Sequence, residues 1–272
     1  MNTPYQPTQN QISPLRKLRR ALNGLGKTHL CCVCGKRFFR FSSYRGGTKA
    51  VSSYLHTMSW ISSAFDSFWC PYCRSHDRER HLILFLDALK MWDVFENATV
   101  LHVAPEKQLA FRIAARKPAR YVKGDISPAR SDIEKLDVTA IGYPDNTFDV
   151  IICNHVLEHV PDDTRALREL WRVLTPGGLA IFQTPYAVGL EKTREHQPEI
   201  TTPEQRREFY GQEDHVRLYG RDIFDRICAA GFVSEMKTHD DCLNAMNALR
   251  YGVNPLEPFF RFRRPNSYPR SI

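Results

Sequence analysis

The sequence predicts an α/β protein: a parallel sheet with helices on both faces, preceded by a small metal-binding module. From residue 97 onward, short apolar runs alternate with amphipathic stretches, the pattern of strand–helix–strand units. Ahead of residue 97, two C-x-x-C pairs are separated by 35 residues, and five of the eight cysteines fall in the first third of the chain. That clustering points to a metal site in a reducing compartment and not to a disulfide framework.

Length and composition set the bounds. A chain of 272 residues, 42% hydrophobic, can bury one sizeable core and an appendage. No apolar run approaches the ~20 residues needed to span a bilayer. Residues 1–25 open with the polar, proline-bearing MNTPYQPTQNQISP. Without the apolar core of a secretory signal, they are expected to be a disordered or extended basic lead-in to a cytoplasmic protein. Charge is uneven: residues 1–90 hold 14 Lys/Arg against 4 Asp/Glu, and residues 91–260 hold 20 against 26. Arg261, Arg263, Arg264 and Arg270 make the last twelve residues basic again. Basic ends of this kind can meet phosphate or simply solubilise the chain.

The first module spans 26–75. Cys31 and Cys34 form one knuckle, followed by Gly35, and Cys70 and Cys73 form the other. Two tight turns of this type close a tetrahedral four-thiolate zinc site, and glycine suits the positive φ of such a turn. Four thiolates leave no open position, so the expected zinc is structural. Cys32 is a bystander in this register, with Cys32/Cys34 the alternative pair. The stretch after Cys73 (76–96) is expected to be a connecting helix, capped by Ser75 or Asp77, with Leu82, Phe85, Leu86 and Leu89 at helical spacing. His76 and His81 read as surface or interface histidines, since the four cysteines already satisfy the metal.

The second module spans 97–272. Strands are expected at TVLHVA (99–104), RYVKGD (120–125), FDVIIC (148–153) and LAIFQT (179–184). Helices are expected at 106–117, at TRALRELWRVL before the stop TPGG, and at 221–231 before an antiparallel edge pair. Cys153 and Cys228 lie in apolar segments, as buried cysteines do. In such folds the ligand sits outside the carboxyl ends of the strands.

The ordered strings GDIS, PDNTFDVII, NHVLEHV and RVLTPGG resemble the class I S-adenosylmethionine-dependent methyltransferases, in the type 11-like group. The likeness is close over about a third of the chain. It implies a Rossmann-like seven-stranded methyltransferase sheet, S-adenosyl-L-methionine as cofactor and a methyl-transfer activity. It implies that Asp125, with Ile126 beside it, accepts from the ribose hydroxyls. Asp137 would accept from the adenine amine, with the Val138 N–H on a ring nitrogen. Asn154 and His155 would stand where the methionine end meets the acceptor. One departure is plain: the family's glycine-rich first loop is here HVAPEKQ, placing His102, Ala104 and Glu106 at the cofactor. Glu106 would bind the methionine ammonium.

The acceptor is less legible. The long polar segment 186–212 reads as a lid, and DHVRLYG (214–220) follows it. Polar residues on positioned loops often act. His215 is therefore the expected base, Asp214 its orienting partner, and Arg217 a clamp for an anionic group. Of the other nearby histidines, His159 reads as a packing residue. The favoured reading is transfer to an O or N acceptor on a small molecule, a sugar or secondary metabolite. The alternatives are an RNA methyltransferase gripping RNA with the basic zinc module, and a non-catalytic binding module with a degenerate cofactor fold.

Overall fold

A computed structural model describes residues 14–243 and 246–266. Its centre is a seven-stranded sheet: β1 (Thr99–Val103), β2 (Arg120–Asp125), β3 (Glu134–Lys135), β4 (Phe148–Asn154), β5 (Leu174–Gln183), β6 (Val233–Ser234) and β7 (Phe260–Arg263). The strand order is β6-β7-β5-β4-β1-β2-β3. The first five strands pair in parallel, while β7 is antiparallel to both β5 and β6. The TPGG stretch, expected as a stop, instead lies within β5, whose register against β4 shifts between Phe148 and Val150.

The central strands β1, β4 and β5 alternate between two buried faces. Ile151 and Cys153 of β4 face the helices Asp163–Val173 and Ile223–Ala229, whose Leu167, Leu170, Ile223 and Ile227 complete that core. Val150 and Ile152 face the helices Asp77–Ala88 and Lys107–Ala114 through Leu82, Phe85, Leu109 and Ile113. A strand buried on both sides must be apolar throughout, which explains the run VIIC. Cys153 is fully buried, whereas Cys228 is exposed, contrary to expectation, because its apolar neighbours and not its own side chain face the core.

The helix expected as a connector is a layer of the core. It starts at Asp77 with His76, not Ser75 or Asp77, as its N-cap, and it buries both its leucines and its polar residues Asp77, Glu79, Arg80 and His81. Glu79 accepts the N–H groups of Gln108 and Leu109 at 2.5 and 2.9 Å, so its carboxylate closes the start of the neighbouring helix. Arg80 is fully buried and directs its guanidinium to five carbonyl oxygens, those of Ser67, Phe68, Ser75, Tyr251 and Gly252, at 2.5–3.2 Å. Its charge also lies 4.0 Å from the Phe41 ring centroid.

The described part of the lead-in departs from expectation. Pro14–Gly24 is a helix, not an extended segment; its Arg20 donates to the Tyr72 carbonyl and Tyr72 returns its hydroxyl to the Arg20 carbonyl, which anchors it to the second knuckle. Residues 1–13, and Arg270 at the other end, lie outside the described residues. The segment between the knuckles also reaches away from the cysteines. Trp60–Ile61 pairs antiparallel with Tyr186–Ala187, and Leu55 packs with Leu190, Tyr210 and Leu218. The expected lid thus contains two short strands and the helix Pro203–Tyr210, and it is built jointly with the N-terminal module.

Lysine offers three donors where arginine offers five. Arg80→Lys therefore leaves at least two of the buried carbonyls unanswered, a loss of about 3 kcal/mol. The expected melting temperature falls by about 6–12 °C in a chain of this size, measured by thermal denaturation; an unchanged melting curve would show that water replaces the lost donors.

Candidate functional site

The two knuckles have the same local form. Cys31 N–H donates to the Lys36 carbonyl and Cys70 N–H to the Ser75 carbonyl, at 3.0 and 2.8 Å. Gly35 and Arg74, the residues after each second cysteine, both take positive φ. Cys31 and Cys73 sulfurs stand 3.7 Å apart and those of Cys34 and Cys70 3.8 Å. Four thiolates at 2.3 Å from one tetrahedral ion would stand about 3.8 Å apart. Each of the four offers a sulfur within 4.8 Å of the others, so the donor set fits a zinc ion. Cys32 lies outside the set, with its thiol against the Arg80 carbonyl, which decides the register for Cys31. Ser75, fully buried, holds its hydroxyl 3.4 Å from the Cys31 sulfur and 3.2 Å from the Cys73 sulfur, accepting from the Cys73 thiol.

A second site opens at the carboxyl ends of the parallel strands. A cavity of about 720 Å3 is lined by Ala104, Asp125, Ile126, Asp137 and Val138 on one side and by His155, His159 and Asp214 on the other. Its size and its few convergent polar groups suit a cofactor-sized ligand. Asp125 ends β2, and one of its oxygens accepts the Ser127 N–H at 2.8 Å. Asp137 accepts the backbone and hydroxyl hydrogens of Thr139, which hold its carboxyl below the usual range. Ala104 has φ +48°, a conformation that glycine adopts without strain and alanine does not. The first loop therefore keeps the backbone path of a glycine-rich loop without its glycines.

Three residues expected at the cofactor do not line this cavity. His102 is fully buried and bonds Tyr121 and Glu106 at 2.8 and 2.7 Å. Asn154 donates to the other Glu106 oxygen at 3.2 Å. Burial pushes the Glu106 carboxyl up, but the hydrogen bond and charge of His102 outweigh it and hold the group at about 2. These three bond one another behind the loop, with the Asn154 Oδ1 buried and unpartnered.

The heptad after the lid divides sharply. Asp214 alone is exposed and lines the cavity. Arg217 is no substrate clamp: it is buried, paired with Glu195 at 2.8 Å and donating to the carbonyls of Leu157, Val160 and Pro161. Tyr219 donates to Asp163 in the same network. His215 is fully buried and Asp214 does not orient it; its Nδ1 stands 2.7 Å from the Tyr210 carbonyl, and Asp214 faces His159 instead, 3.3 Å from Nδ1.

Sequence reasoning passed over Glu158. It is buried, bonds His155 Nδ1 at 3.2 Å and accepts the Thr184 hydroxyl at 2.9 Å. Burial raises its carboxyl, but the hydrogen bond and charge of His155, with His215 and His159 nearby, hold it at about 2. The signal was its place between two histidines in NHVLEHV. Behind His155 lies a further buried chain: Glu257 is 3.8 Å from His155 and 3.6 Å from His81, and His81 meets His239 at 3.0 Å.

A family profile described as a methyltransferase domain matches residues 89–182. The central segment is thus similar to a methyltransferase domain. Curated relatives match parts of it. The demethylmenaquinone methyltransferase of Deinococcus radiodurans is 42% identical over 53 residues, 19% of this chain and 22% of that protein. The malonyl-[acyl-carrier protein] O-methyltransferase of Halorhodospira halophila is 34% identical over 99 residues, 36% of this chain and 30% of that one. The chain spans less than a third of the length of either relative. A crystal structure of an S-adenosylmethionine-dependent methyltransferase from Mesorhizobium loti is 15% identical, with a TM-score of 0.44, covering 66% of this chain and 98% of that one. The match ends at Phe182, so Asp214, His215 and the four-cysteine module lie outside it. Among the described residues, no helix is long and apolar enough to cross a membrane.

Burial lowers the His81 imidazole, stacked on Phe85, to about 4. In the unfolded chain it takes up a proton near 6.5, and in the fold it refuses one until about 4. Stability is therefore expected to fall as pH drops through that window, by about 3 kcal/mol in full. Urea unfolding at pH 7.5 and 4.5 measures it; an equal loss in His81→Gln would remove His81 as the cause.

Proposed function

We infer that the chain transfers the methyl group of S-adenosylmethionine to an oxygen or nitrogen on a small molecule. The cavity carries this reading: it lies outside the carboxyl ends of β1, β2 and β4 and joins two carboxylates, Asp125 and Asp137, to an imidazole–carboxylate wall. Asp125, with one oxygen free of Ser127, accepts from the ribose hydroxyls, and Asp137 from the adenine amine. The cofactor supplies an electrophilic methyl on a cationic sulfur. The acceptor lone pair attacks in line, and the acceptor's proton passes to the Asp214–His159 pair. His215, the base expected from the sequence, is sealed from the cavity and leaves that role to the pair that lines it. The lid and the N-terminal insert stand over the same strand ends, which favours a small acceptor. An RNA acceptor is supported by a groove of Arg20, Arg40, Arg74 and Phe39 on the zinc module.

The four cysteines, on this reading, hold a structural zinc that fixes the module carrying the Trp60–Ile61 strand.

Asp125→Ala is expected to weaken S-adenosylmethionine binding at least tenfold in a calorimetric titration, which corresponds to about 1.4 kcal/mol. Equal affinity would place the cofactor elsewhere. Salt-sensitive binding of RNA would shift the acceptor to RNA. Cys34→Ser is expected to lose zinc and thermal stability together, as read by metal analysis and melting; full zinc content would show that other ligands hold the ion.

A further inference from the structure

We propose that Glu158, His159 and His215 hold a divalent transition-metal ion in the wall of the cavity, separate from the four-cysteine site. One ligand atom from each lies within 4.8 Å of the others. A six-coordinate ion with bonds of about 2.1 Å sets its ligands roughly 3.0–4.2 Å apart, so a small side-chain adjustment closes the set. Two imidazoles and one carboxylate suit a first-row transition ion and leave positions open.

The proton positions support a ligand role. The Tyr210 carbonyl can only accept, so the His215 Nδ1 facing it at 2.7 Å carries the hydrogen. Nε2 is then left with a lone pair, and it is buried with no hydrogen-bond partner. A buried acceptor with no donor is costly unless something binds it. Metal-bound histidines have this arrangement, the far nitrogen donating to a carbonyl or carboxylate. Asp214, 3.3 Å from His159 Nδ1, stands in the same relation to His159. The Glu158 oxygens already receive His155 and Thr184, at 3.2 and 2.9 Å, and each keeps a further lone pair for the ion. The two hydrogen bonds fix the carboxylate's orientation.

The proposal rests on the methyl-transfer reading for its purpose. His159 and Asp214 line the cavity, so an ion here can take an acceptor hydroxyl in an open position. Coordination lowers the hydroxyl's pKa. Its proton passes to the Asp214 carboxylate, its oxygen lone pair forms the bond to the methyl carbon, and the carbon–sulfur electron pair returns to sulfur, leaving a neutral thioether. The acceptor class is therefore one that presents a hydroxyl.

The test uses the full chain with zinc retained by its cysteines. Co2+ alone is titrated and followed by visible absorption, with S-adenosylmethionine titrated separately by calorimetry. The expected result is one further Co2+ per chain, with ligand-field bands and no thiolate charge-transfer band, bound at least tenfold more weakly by His215→Ala. If His215→Ala does not fold, His159→Ala, at the more exposed ligand, takes its place with the same expected loss. No further Co2+ in the wild type, thiolate bands only, or equal affinity in the variant overturns the site. Cofactor binding without Co2+ binding overturns the metal and leaves methyl transfer standing; Co2+ binding without cofactor binding does the reverse.

Discussion

The molecule is held to its plan by one buried cation. Arg80 answers three carbonyls around the second cysteine knuckle and two from the Tyr251–Gly252 turn, with no carboxylate among these partners. Five N–H groups meet five oxygens, so the donors are matched one to one, and the carbonyl dipoles together with the Phe41 ring compensate the charge. Removing a guanidinium from water is expensive unless every hydrogen finds a partner. That requirement fixes the four-cysteine module, the core helix and the Tyr251–Gly252 turn relative to one another. The acids beside it on the same helix act alike: Glu79 closes the helix after β1, and Asp77 accepts the Ala64 N–H.

From that frame the first loop becomes intelligible. Families of this fold use glycines to let the loop turn beneath a cofactor. Here Ala104 adopts the left-handed conformation itself, its N–H held by the Gly124 carbonyl at 2.8 Å. The strain of about 1 kcal/mol or more is tolerable because the flanks are fixed. Glu79 fixes the helix start, and the His102–Glu106–Asn154 cluster fixes the strand end. Rigid polar anchors on either side replace the freedom that glycine would have given.

The sheet was legible because its central strands β1, β4 and β5 are buried on both faces over apolar runs; VIIC in β4 can hardly be read otherwise. The knuckles were legible because metal geometry imposes a spacing. That Asp125 and Asp137 line the cavity was legible by position, one ending β2 and the other two residues past β3. What failed was burial of polar side chains. Arg217 and His215 look functional in a loop because nothing local shows where a polar group points. Their partners are mostly main-chain carbonyls, those of Leu157, Val160, Pro161 and Tyr210, and a carbonyl has no letter in a sequence. Glu158 was passed over for the converse reason, since its significance depends on His215, 57 positions away. The Trp60–Ile61 strand was missed because two residues carry no periodicity.

That short strand has a consequence for how the chain is made. Its partner, Tyr186–Ala187, lies more than a hundred residues downstream, and the two carbonyls that complete the Arg80 shell come later still. A ribosome releases the cysteine knuckles first, so they can take up metal early. Their outer half then waits, with Trp60 and Leu55 unshielded, through most of translation. Contacts this distant in sequence slow folding and leave apolar surface open to other chains. The cysteine module, synthesised before the sheet, is thus finished only after the sheet's later strands and the Tyr251–Gly252 turn exist.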